Sequence, residues 1–131
     1  MVDPLPGVAV VVVTRDRPAL LRDALRGIAA QRLAPLEVRI ADDGDLSVPH
    51  ELPSAGSLER VIVPVGAGLA AAARNRGSAG ASGELLAFHD DDDLWLPDHL
   101  TGLAEAFRDP AVDFAWRDSA IVREQVAPDG A

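Results

Sequence analysis

The chain has 131 residues, with 12 Lys+Arg against 21 Asp+Glu and a formal charge of −9. That length suits one domain of roughly 100 to 150 residues, and the acidic balance argues against nucleic acid as a partner, because phosphate binding needs a basic face that releases counterions. Cysteine is absent, which removes disulfides, thiolate chemistry, Cys-ligated zinc and iron–sulfur clusters.

The run VAVVVV at residues 8–13 is β-branched and closes on polar Thr14, Arg15, Asp16 and Arg17, the pattern of a first, central strand buried on both faces of a parallel sheet. It is the longest purely apolar run and far too short to cross a bilayer, and no signal-peptide pattern precedes it, so a soluble cytoplasmic product is expected. Pro18 suits a helix start. Leu21, Ala24, Leu25, Ile28 and Ala29 then recur at helical spacing until Gln31 and Arg32. A second strand is expected over 36–41, ending on Asp42 and Asp43, and a third over 60–64, after a loop at 46–57 that is expected to be mobile. Gly66 and Gly68 introduce an Ala-rich helix from 69 to about 79, with Gly77 lowering its propensity. A fourth strand over 84–89 runs straight into Asp90, Asp91, Asp92 and Asp93. Pro97 opens another helix, with Leu100, Leu103, Ala104 and Phe107 on one face and Asp109-Pro110 as its stop. Residues 112–116 and 119–126 read as two more strands. Strands alternating with helices favour a parallel α/β sheet.

In an open α/β sheet, ligands bind beyond the carboxyl ends of the strands, where strand order reverses. The clusters at 14–17, 42–43 and 90–93 all fall at such ends. Four consecutive aspartates repel one another, so a folded site holding them either stays wet or gathers a cation. A solvated acidic turn is the bland alternative; the position after a buried strand favours metal. Oxygen-only ligands select Mg²⁺ or Mn²⁺ over zinc, and phosphate oxygens of a nucleotide diphosphate would complete such an ion's shell. Asp42 and Asp43 suit hydrogen bonds from a base or ribose, or an Asx turn with Gly44, and one aspartate can do each job. Arg74, Asn75 and Arg76 either meet a pyrophosphate or sugar or decorate a helix surface. His89 either contacts a metal or donor or is satisfied by backbone. His50 and His99 receive no role, and Trp95 and Trp116 read as packing residues.

Taken together, VVVVTRDRP at 10–18, Gln31, IADDG at 40–44, GLAAAARNRG at 68–77, Gly83-Glu84 and AFHDDDDLWLPD at 87–98 resemble the family 2 glycosyltransferases. These are inverting enzymes with the Rossmann-like GT-A fold, a mostly parallel sheet flanked by helices that binds a nucleotide sugar. The resemblance covers about residues 6–126. It implies that Thr14 and Arg15 line the nucleotide pocket, that Asp43 with Asp42 beside it recognises uracil or another base, and that Asn75, next to Arg74, lies near the donor. Arg15 stands where Tyr is frequent, and its planar guanidinium can stack on a base. Asp16 stands where Asn is usual. Asp90 and Asp92 match the Asp-x-Asp motif, in which Asp92 holds the Mn²⁺ or Mg²⁺ ion that bridges the diphosphate, with Asp91 near the sugar.

Inverting transfer also needs a carboxylate base to take the acceptor's proton. The resemblance implies that this acid lies past the motif, beyond Ala131, so no catalytic residue is assigned here. The chain is expected to be a single, incomplete GT-A domain, truncated before the acceptor-binding half. Its acceptor, whether glycan, lipid or small molecule, is not readable. The alternative is a catalytically incompetent GT-A-like binding or assembly module, pairing as a homodimer through C-terminal edge strands. A receiver-like domain fits poorly, since it would need a Lys and this chain has none.

Overall fold

β-Branched residues without a polar break cannot present a wet face, and residues 8–13 solve this by lying inside a sheet. In the computed structural model, which describes residues 3–44, 59–64 and 70–121, they form β1 (Val8–Thr14), buried throughout except for half-buried Val13. β1 pairs in parallel with β2 (Glu37–Asp42) on one side and β4 (Leu85–Asp90) on the other. β2 pairs in parallel with β3 (Glu59–Pro64), giving the order β3-β2-β1-β4. The chain thus steps outward from β1 to β3, then returns across β1 to β4, and strand order reverses at β1.

Helices cover both faces, as expected of the Rossmann-like fold. Helix α1 (Pro18–Ala29) starts on its proline and buries Leu21, Ala24, Leu25 and Ile28. With Leu100 and Ala104 of α3 (His99–Ala106), Leu21, Leu25 and Ile28 pack on Val8, Val10, Val12, Val38 and Ile40. The opposite face carries α2 (Ala70–Ser78), where Ala73 meets Ala41 and Val13. Gly77 lets α2 approach closely: a Cβ there would stand 2.8 Å from Val11 Cγ1 and 3.0 Å from the Ala41 Cβ.

Two polar side chains buried between elements fix the layers. Arg39 of β2 donates through Nε to the Gly77 carbonyl and through Nη2 to the Ala79 carbonyl at 2.8 Å, meeting carbonyls that the end of α2 leaves unsatisfied. Gln31 leaves α1 two residues after its last turn. It donates to the Leu96 carbonyl at 2.7 Å and accepts from the Leu100 amide at 3.0 Å, joining the end of α1 to the start of α3.

Some expectations need correction. α3 begins at His99, two residues past Pro97, because Leu96 to His99 first closes a turn with a 3.0 Å hydrogen bond. Residues 112–121 form no strand. Phe114 and Trp116 are 75% and 76% exposed, so no neighbouring strand covers alternate side chains there, and Trp116 is not a packing residue. The pairing edge expected from residues 112–116 is therefore not formed. Residues 46–57, His50, the glycines at 66 and 68, and residues 122–126 lie outside the described part. Among the described residues, no helix is long and apolar enough to cross a membrane.

Candidate functional site

The carboxyl ends of β1 and β4 are neighbouring rungs of one ladder, with Val13 opposite Asp90. Whatever follows each strand is delivered to the same rim. A cleft of about 300 Å³ opens there, lined among the described residues by Thr14, Arg15, Arg17, Asp43, Arg74, Asp90, Asp91 and Asp92, with Val13 and Ala70. It lies at the strand-order reversal, where an open sheet leaves a crevice.

The acidic run is shaped by a turn. The Asp93 amide donates to the Asp90 carbonyl at 3.0 Å, so residues 90–93 fold back on themselves and the four carboxylates part company. Asp91 points inward and is 1% exposed. Its Oδ2 accepts a 2.8 Å hydrogen bond from Thr14 Oγ1, and its Oδ1 stands 2.8 Å from Arg17 Nη2. The latter contact is ionic and not an aligned hydrogen bond, as no N–H points along it. Asp90, Asp92 and Asp93 turn outward, each bringing one oxygen to within 4.8 Å of the others. Three half-wet carboxylates at this spacing suit a hard divalent cation that keeps several waters.

Guanidinium groups flank this triad. Arg17 Nη1 lies 3.7 Å from Asp92 Oδ2, and Arg74 Nη2 donates to Asp90 Oδ1 at 2.8 Å. Burial, followed by the charges of Asp92 and Asp90, pushes the Asp93 carboxyl above the usual aspartate range. Like charges held together disfavour one another's ionisation. His89 is buried and its pKa is lowered, chiefly by that burial. Its Nδ1 is 2.6 Å from the Asp90 carbonyl, so the backbone satisfies that nitrogen, while Nε2 is buried without a hydrogen-bond partner among the described residues. Its ring packs on Trp95, which in turn stacks on His99, at centroid distances of 4.3 and 4.5 Å.

Of the residues singled out from sequence, Thr14, Arg15, Asp43, Arg74, Asp90, Asp91 and Asp92 meet at this cleft. Three others, Asp42, Asp16 and Asn75, are not among its lining residues. Asp42 is 2% exposed and its Oδ1 accepts from the Gly44 amide at 2.9 Å, the Asx turn weighed above. Asp16 is exposed and takes a left-handed φ of 52°, with its carboxylate against Gly44. Asn75 is exposed on α2 outside the lining. Arg17 and Asp93 belong to the clusters at 14–17 and 90–93 that the sequence places at this rim, but no individual role is read for either. Arg17 sits in the very segment that drew attention to Thr14 and Arg15, and Asp93 could have been found from the i to i+3 geometry of a turn.

Comparison with known proteins gives matches over most of the chain. The model for Glycosyl transferase family 2 matches residues 9–125. An uncharacterized glycosyltransferase, YwdF of Bacillus subtilis (strain 168), is 35% identical over 122 residues, covering 88% of this chain and 42% of its own length. The succinoglycan biosynthesis protein ExoW of Rhizobium meliloti (strain 1021) is 31% identical over 108 residues, covering 78% and 34%. An uncharacterized glycosyltransferase of Nostoc sp. is 28% identical over 106 residues, covering 77% and 33%. The chain thus spans between a third and just over two fifths of these relatives.

Proposed function

The chain belongs to glycosyl transferase family 2, and from that premise we propose that its cleft binds the diphosphate of a nucleotide-sugar donor, a UDP-sugar first among them, together with Mn²⁺ or Mg²⁺, for inverting transfer of the sugar to an acceptor hydroxyl. The observation that carries this reading is the convergence of Asp90 and Asp92, with Asp93 adjoining them, beside Arg15, Arg17 and Arg74 in one cleft. A carboxylate triad alone would repel a diphosphate; flanking guanidinium groups alone would not select a cation.

Each side chain then has a task. Asp90 and Asp92, with Asp93 beside them, would hold the ion; when bound, it neutralises charge gathering on the departing nucleoside diphosphate. Asp91 keeps the turn docked on Thr14 and Arg17, and so fixes where the outer carboxylates point. Arg15 offers a flat cationic face to a base, and Asp43 an acceptor for base N–H groups. Arg74 reaches the cleft from α2 and supplies positive charge toward phosphate oxygens. Removal of the acceptor's proton is proposed to fall to a carboxylate beyond these residues.

Calorimetric titration with UDP in the presence of Mn²⁺ tests the reading. The parent chain should bind both, and Asp92→Ala should weaken Mn²⁺ on the order of tenfold or more, the scale on which metal-site residues act. Equal affinity in the variant would remove Asp92 from the metal site. A symmetric dimer in solution with no affinity for the nucleotide would favour the binding- or assembly-module alternative.

A further inference from the structure

The two acids that would grip a cation most directly already have cations against them. Asp90 is paired with Arg74 at 2.8 Å, and Asp92 faces Arg17 at 3.7 Å. Both pairs are open to water: the side chains of Arg74 and Asp90 are 37% and 47% exposed, and those of Arg17 and Asp92 are 48% and 55% exposed. Pairs in such surroundings are weak and readily exchanged. Arg17 differs in having a second anchor, the fully buried carboxylate of Asp91 at 2.8 Å. It can therefore let go of Asp92 without leaving the cleft.

Resting on the donor-binding reading above, we propose that Arg17 and Arg74 are exchangeable counter-cations, which cede Asp92 and Asp90 to a divalent ion and pass to the diphosphate, so that metal and nucleotide each promote the other's binding. A metal arriving alone must compete with two guanidinium groups for its carboxylates. A diphosphate arriving alone meets a cleft in which Asp43, Asp90, Asp91 and Asp92 outnumber Arg15, Arg17 and Arg74, with Asp93 adjoining. When both arrive, the ion takes the carboxylates and the freed guanidinium groups find phosphate oxygens, for which their forked donors are well matched. The coupling is reciprocal by thermodynamic necessity.

Free Mn²⁺, followed by electron paramagnetic resonance with and without saturating UDP, measures this directly and needs no turnover. In the parent, UDP should tighten Mn²⁺ by about tenfold, within the usual range of coupling between sites. Arg74→Gln should bind Mn²⁺ alone severalfold more tightly than the parent, and the tightening by UDP should shrink. Arg17→Gln should do the same, with a melting curve to confirm folding because it leaves Asp91 short of a partner. The control is Arg26→Gln, which removes the same charge from an exposed pair with Asp23 on α1, outside the cleft lining; its Mn²⁺ affinity should stay close to the parent's. If Arg74→Gln and Arg17→Gln bind Mn²⁺ no more tightly than Arg26→Gln while the parent binds both ligands, the exchange is overturned and donor binding stands. If the parent binds neither Mn²⁺ nor UDP, both readings fall.

Discussion

Asp91 governs more of the cleft's geometry than the acids on either side of it, although it is the one hidden from solvent. Its two oxygens tie the tip of β1, through Thr14, to the first residues before α1, through Arg17. Replacing it by alanine leaves a buried hydroxyl and half of a guanidinium without their partner, which should cost about 1–3 kcal/mol. Urea unfolding would check this, with Thr14→Val expected to lose about 1 kcal/mol from the same contact. A loss within the noise of surface substitutions for Asp91→Ala would contradict the role given to it. Asp93 should behave in the opposite sense. Burial and its neighbours raise its pKa, so its charge at neutral pH opposes folding. Asp93→Asn should therefore raise the urea midpoint slightly without metal, yet reduce the extra stability gained on adding Mn²⁺.

At the level of elements, α2 is set by how closely it can lie on the sheet. Alanine is the better helix former by about 1 kcal/mol, so Gly77→Ala would be stabilising on propensity alone. Its methyl, however, would meet the stiff Val11 side chain at 2.8 Å, and overpacking of this kind typically costs 1–3 kcal/mol. We expect a net loss of about 1 kcal/mol in chemical denaturation; a gain would mean that α2 can ride outward freely. Such contacts explain what could and could not be read from the sequence. β1 and α1 were legible because burial on both faces or on one stripe writes itself into apolar spacing. The bridging roles of Arg39 and Gln31 were not, since beyond nearby Glu37 and Gly27 the groups they tie together lie 38 or more residues away and nothing local marks them as buried. Residues 112–116 misled for the converse reason: Phe114 and Trp116 alternate as in a strand, but no partner strand meets them. Within the site, the carboxyl-end clusters were legible from strand order and motif. The division of labour inside the acidic run was not, because it depends on a turn whose inward residue is chosen by Thr14.

For the molecule as a whole, acidity is a stability variable. His89 and His99 have folded pKa values below the ordinary histidine value of 6.5, chiefly because burial penalises the imidazolium. For His99 the charge of Arg117 adds to the effect. The unfolded chain then binds more protons than the folded one near and below that value, so stability is full above it and declines as pH falls through it. Asp93 acts with the reverse sign, nearer the carboxylate range. The urea midpoint should drop between pH 7.5 and 5.5, and His99→Gln should show a smaller drop; a flat parent profile would contradict the burial of His89 and the half-burial of His99. Loading with UDP and Mn²⁺ should raise the midpoint at fixed pH by mass action, about 2.7 kcal/mol at a hundredfold excess over the dissociation constant.

The pairing of Val13 with Asp90 has a mechanical corollary. The two lips that carry Thr14 and the acidic turn hang from hydrogen-bonded neighbours, so they cannot be prised apart unless the ladder itself tears. That end of the cleft therefore behaves as a fixed jaw, and among the described residues that line it, adjustment to a differently shaped cargo falls to the long, swivelling arms of Arg15, Arg17 and Arg74.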